Sequence, residues 1–154
     1  MLGGRRSTWK KNQAFEQALK GIKETLKYAE RKGIIITLEN HGGVAATSKD
    51  LIRFSEAVDS DCFKVNLDTG NFRGKRYSQI KEVAPYVAHV HAKIYELKQN
   101  KYGKWFETTL NYNRILQILR KVNYHHYLSL EYEGKEEETL IVPKAVEFLK
   151  STLS

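Results

Sequence analysis

Four runs of apolar and β-branched residues in this sequence each lead to a side chain able to bind a cation. Ile34-Ile35-Ile36-Thr37-Leu38 leads to Glu39, Phe63-Lys64-Val65-Asn66-Leu67 to Asp68, Tyr86 to Val90 to His91, and Tyr127 to Leu130 to Glu131. Three carboxylates and one imidazole are hard to borderline donors, suited to Mn2+ or Mg2+ and able to accept Co2+ or Zn2+. Taken singly, each has an ordinary explanation. An acidic residue after a strand usually caps a helix or lies in a solvated loop, and a lone histidine is more often a hydrogen-bonded core residue than a ligand. Four of them, in phase at the ends of four successive strands, are much harder to explain that way.

The segments between these runs carry helical periodicity. From Asn12 to Lys32 the residues Phe15, Leu19, Ile22, Leu26 and Ala29 recur at steps of four and three, with Asn12 expected as cap and Gly33 as terminator. Thr47 and Asp50 form a capping pair for a second helix reaching about Asp59. A short helix over Ser78 to Ala84 leads through Pro85 into the third strand. Ile115, Leu116, Ile118 and Leu119 mark a helix from Tyr112 to Val122, and a last helix starts near Val142 with Pro143 in its first turn. Residues 95 to 109 are polar, lysine-rich and interrupted by Gly103, which predicts a long loop or small hairpin able to act as a lid. Alternating strands and helices imply an α/β fold with a parallel sheet. Four units make half of a β/α barrel, whose strand ends share one rim where active sites form. A chain of 154 residues is too short for the whole barrel, which takes about 250. Residues 1 to 154 are therefore expected to form a single domain.

Composition narrows the function further. A lone Cys62 excludes an internal disulfide or a cysteine-based zinc site, and no stretch approaches a membrane span or a signal-peptide core, so a soluble cytoplasmic protein is expected. The net charge of +8 raises nucleic-acid binding, but the basic residues are spread along the chain, with local density only at Arg5-Arg6, Lys10-Lys11 and Lys98 to Lys104. Nucleic acid is therefore not the expected partner.

The words at the four strand ends are Leu38-Glu39-Asn40-His41-Gly42-Gly43, Asn66-Leu67-Asp68-Thr69-Gly70-Asn71, His89-Val90-His91-Ala92-Lys93 and Leu128-Ser129-Leu130-Glu131-Tyr132-Glu133-Gly134. In this order the sequence resembles the sugar phosphate isomerase/epimerase family with the xylose-isomerase-like TIM barrel, over the C-terminal half of that barrel. The resemblance implies that Glu39, Asp68, His91 and Glu131 are metal ligands and that Glu39 and Glu131 are also the catalytic acid/base pair. The chemistry agrees: a divalent cation holding a sugar's carbonyl and adjacent hydroxyl acidifies the α-proton, and a carboxylate on each side can remove and return it.

The sequence departs from the family pattern at two positions. Asn71 stands where tagatose and psicose epimerases have a histidine, and Ile94 replaces the acidic residue of the His-x-Lys-Asp word. The apurinic endonuclease branch needs a histidine at Asn71 and an aspartate at His89, so DNA cleavage is not implied.

His41, Asn71, His89 and Lys93 are the expected contacts to a sugar or sugar phosphate substrate. Trp105 either closes over a sugar ring or packs the base of its loop. A half-barrel is expected to leave two raw strand edges and an apolar inner face, requiring a homo-oligomer or a partner half-barrel. Met1-Leu2-Gly3-Gly4 reads as the tail of a preceding strand. A dehydratase or lyase shares the same proton abstraction, and a truncated half-barrel that binds ligand or partner without catalysis is the alternative.

Overall fold

The computed structural model of the protein describes residues 10–153. The Met1 to Gly4 segment, Arg5, Arg6 and Trp9 lie outside them. The expected architecture is the observed one: helix α1 (Lys11–Lys32), then four strand-helix units. Strands β1 (Ile36–Glu39), β2 (Phe63–Asp68), β3 (Val87–Ile94) and β6 (Leu128–Tyr132) form one parallel sheet in that spatial order. The hairpin β4 (Leu97–Gln99) and β5 (Trp105–Glu107) resolves the loop-or-hairpin alternative for residues 95 to 109 in favour of the hairpin. Helices α2 (Ser48–Val58), α3 (Arg76–Val83), α4 (Tyr112–Lys121) and α5 (Glu138–Leu153) complete the order.

Local chemistry sets most of the boundaries. Gly33 ends α1 in the left-handed conformation, φ 62°, which its missing Cβ permits. Thr47 caps α2 through a reciprocal pairing with Asp50. Four expectations shift. The cap of α1 is Lys10, whose backbone N–H donates to Gln13 Oε1, while Asn12 turns aside to accept from Arg53. β1 starts at Ile36, because the ladder to β2 begins at Ile36 opposite Phe63, and Ile34 and Ile35 remain about half exposed. β3 runs three residues beyond His91, paired with β6 as far as Tyr132. α5 begins at Glu138, so Pro143 lies inside the helix and leaves the carbonyl of Thr139 without its helical donor.

All the helices from α2 to α5 contribute to one core against a single face of the sheet. Leu51, Ile80, Val83, Ile115, Leu116, Ala145 and Phe148 pack there on Val65, Leu67, Val90, Ala92 and Ile94. A second cluster joins α1 to α2 and β2 through Phe15, Ile22, Leu26, Phe54 and Phe63. Phe54 is fully buried with its ring 4.3 Å from that of Phe15. Phe54→Ala should therefore cost about 3 to 5 kcal/mol of stability, measurable as a urea midpoint shift.

Alternation along the strands gives the opposite face to Thr37 and Glu39, Lys64, Asn66 and Asp68, His89, His91 and Lys93, and Ser129 and Glu131. The expected apolar inner face is thus corrected to a polar one. Ile36 and Leu38 of β1 and Val65 and Leu67 of β2 point towards the helices.

Candidate metal centre

The site begins with the strand ends. Glu39 and Asp68 are the last residues of β1 and β2, whereas His91 lies three residues before the end of β3 and Glu131 one residue before the end of β6. One donor atom from each of the four lies within 4.8 Å of the others. His91 is central, with its Nδ1 3.8 Å from Glu39 Oε1 and 3.2 Å from Glu131 Oε2.

The backbone around the cluster is fixed by buried polar groups. The Asn40 side chain brackets Asp68, donating to its carbonyl at 2.9 Å and accepting from its N–H at 2.7 Å. Asp68 Oδ1 accepts the backbone N–H groups of Gly70 and Asn71. Thr69 Oγ1 donates to the carbonyl of His91 and accepts from the N–H of Lys93, and Tyr112 donates to the carbonyl of Lys93. β2 and β3 are thereby tied together at the rim.

Of the buried oxygens here, Asn66 Oδ1 accepts no hydrogen bond, while Asp68 Oδ2 and Glu131 Oε2 have only charge contacts, with the Lys93 ammonium at 3.1 Å and with His91 Nδ1 at 3.2 Å. Buried acceptors without donors are costly, and carboxylates converging on one point repel each other. A divalent cation answers both problems, so the donor set fits one.

The ionisation pattern agrees. Burial, and then the Glu131 carboxylate, push Asp68 up to about 6, against the Gly70 N–H and the Lys93 ammonium, which lower it. Glu131 is held below the usual carboxylate range: burial raises it, but contacts with Lys93 and Asp68 and the charge of His91 outweigh that. His89 is lowered by burial and by neighbouring His91. A carboxyl group with a pKa of about 6 folded and about 4 unfolded binds more protons in the folded state between those values. The cation-free protein should consequently lose stability from this group as pH rises from about 4 to about 6. Urea midpoints across that window should fall more steeply for the wild type in EDTA than for Asp68→Asn.

The other expected site residues are distributed unevenly. Asn71 Nδ2 donates to Glu39 Oε1 at 3.4 Å. Lys93 is fully buried, its ammonium 3.1 Å from Asp68, 2.9 Å from Glu131 and 3.1 Å from Glu133. His89 lies one step below His91, ring centroids 5.5 Å apart and edge to face, with a 2.9 Å contact to Ser129. His41 is exposed in the loop after β1 and is not one of the cluster's donors. Ile94, where the family's word has an acid, is fully buried in the core on the helix side. Trp105 packs against the core, with the Lys144 ammonium over its ring.

Sequence reasoning missed Asn40, Asn66 and Glu133. Asn66 shares a face with Asp68, and its Nδ2 is 3.2 Å from His91 Nε2. Glu133 follows Glu131 by two positions. The period-two rule applied beyond the four cluster residues finds both.

Solved structures with this fold include the D-psicose 3-epimerase of Clostridium cellulolyticum, with TM-score 0.75 and 18% identity over 95% of this chain and 57% of its own. The 3-keto-D-glucoside 4-epimerase of E. coli superposes with TM-score 0.73 and 16% identity, over 94% of this chain and 56% of its own. For the probable 3-DHS dehydratase of Bacillus anthracis the values are 0.69 and 17%, over 96% and 59%. The chain thus spans little more than half the length of these proteins and forms a partial barrel. No curated protein matches the sequence. No helix among the described residues is long and apolar enough to cross a membrane. A family model described as xylose isomerase-like TIM barrel matches residues 1–152, and the chain belongs to that family.

Proposed function

We propose that this chain is the cation-holding half of a metal-dependent isomerase or epimerase acting on a sugar or sugar phosphate, corresponding to the C-terminal half of the barrel. The observation that carries the reading is the convergence of Glu39, Asp68, His91 and Glu131 within 4.8 Å at one rim of the sheet. Those four residues would hold Mn2+ or Mg2+. A divalent cation bound there supplies polarisation of a carbonyl and its adjacent hydroxyl, acidifying the hydrogen on the carbon beside the carbonyl.

Glu39 and Glu131 approach the same His91 nitrogen. One is placed to take the proton and the other to return it. They differ in their neighbours, an amide from Asn71 for Glu39 and the Lys93 ammonium for Glu131. The ammonium keeps Glu131 ionised and able to accept a proton.

The rest of a substrate pocket would come from the strands that complete the barrel, and a second copy or a partner half-barrel is the source proposed for them. Incubating the Mn2+-loaded protein with keto-sugars in heavy water tests the reading. Deuterium should appear on the carbon next to the carbonyl of at least one sugar. Retained cation binding with no exchange in any of them would favour a non-catalytic ligand-binding half-barrel.

A further inference from the structure

We propose that Lys93 is a positioning residue of the cation site, acting through Asp68 and Glu131 and never on the substrate. This rests on the reading of the cluster as a cation site. An ammonium has three N–H donors and no acceptor, and three carboxylate oxygens, Asp68 Oδ2, Glu131 Oε1 and Glu133 Oε1, lie within 3.1 Å of Lys93 Nζ. The side chain is 0% exposed. Enclosed by three carboxylates and shut off from solvent, it has no path to a sugar oxygen, unlike the substrate contact expected from sequence.

What it does instead follows from which oxygens it takes. Asp68 Oδ1 is already held by two backbone N–H groups, so the ammonium at Oδ2 fixes the rotation of that carboxylate from its other side. At Glu131 the ammonium takes Oε1 and leaves Oε2 turned towards His91. Two of the four ligands are therefore aimed by one cation built into the strand between them. The Lys93 ammonium itself is tightly held. Burial alone would lower its pKa, but the three carboxylates raise it above the ordinary lysine value.

The chain makes room for this lysine at one place. A Cβ on Gly70 would lie 2.6 Å from Lys93 Cγ, 3.0 Å from Lys93 Cβ and 2.6 Å from the Tyr95 hydroxyl. Glycine at this position allows the lysine stem to pass beside the Asp68 loop.

Charge and position make opposite predictions, which allows a decisive experiment. If Lys93 contributed only its positive charge, Lys93→Met would tighten binding of a divalent cation by removing repulsion. As a positioning residue, its loss should weaken Mn2+ binding by about 10 to 100-fold, the usual effect of removing a group that orients metal ligands. Calorimetric titration of Mn2+ into the full chain, with folding checked by circular dichroism, measures this. Gly70→Ala keeps the charge and displaces the stem, so it should weaken binding as well, and it decides the matter should Lys93→Met fail to fold. Wild-type affinity or tighter binding in a folded Lys93→Met, or unchanged affinity in Gly70→Ala when that variant must decide, overturns the proposal. A wild-type chain that binds no Mn2+ would instead overturn the cation site itself.

Discussion

Saturation with Mn2+ is expected to raise the melting temperature of this protein by roughly 5 to 11 °C at a hundredfold excess over the dissociation constant. A ligand that binds only the folded state adds about 2.7 kcal/mol at that excess, and a domain of this size gains about 2 to 4 °C per kcal/mol. The stabilisation should be large here because the cation would relieve a defined defect. Asp68 and Glu131 are two carboxylates crowded together in a partly buried site, with burial and the neighbouring carboxylate pushing Asp68 upwards. His91→Ala removes the donor lying between Glu39 and Glu131 and should shrink the shift to a small fraction of its wild-type size. Scanning calorimetry with Mn2+ and with EDTA measures both. Equal melting temperatures in the two conditions would remove the metal centre and everything built on it.

Replacing Glu131 by glutamine is expected to reduce solvent-hydrogen exchange at the substrate carbon by about a hundredfold to ten-thousandfold, the usual contribution of a general acid or base. The amide cannot accept the proton, and it loses the charge that pairs with Lys93 at 2.9 Å. Glu39→Gln should show a comparable loss in one direction of the reaction, because the second carboxylate then has no partner to return the proton. Proton NMR in heavy water follows both. Exchange in Glu131→Gln within tenfold of the wild type would exclude this residue as the proton carrier.

The fold was legible because its signals are local. Gly33 terminates α1 and the Thr47–Asp50 pair starts α2 within a few residues of the turns they control. The apolar runs mark β1, β2 and β6 directly. The four residues of the cluster could also be read, since each closes or nearly closes such a run. The polar environment of this cluster was harder to see, because its pairs come from distant segments. Asn40 bonds to the backbone of Asp68, 28 residues on, and Lys93 reaches carboxylates on β2 and β6. A lysine at a strand end reads as a solvated contact unless those neighbours are known. The length of β3 was underestimated for a similar reason: its last three residues are held by β6, over thirty residues away.

The unshielded side of the sheet has one more consequence. It presents Thr37, Lys64, His89 and Ser129 across its four strands, whereas exposed apolar groups lie beside the outer strands, Ile34 and Ile35 before β1 and Tyr127 before β6. A complement to this half would therefore be gripped along two seams, by backbone pairing at β1 and β6 and by the apolar residues beside them. The lumen between the seams would stay wet, ready to admit a hydroxylated molecule. Such a closure would show a smaller heat-capacity change than its total contact area suggests, since much of what it covers is polar.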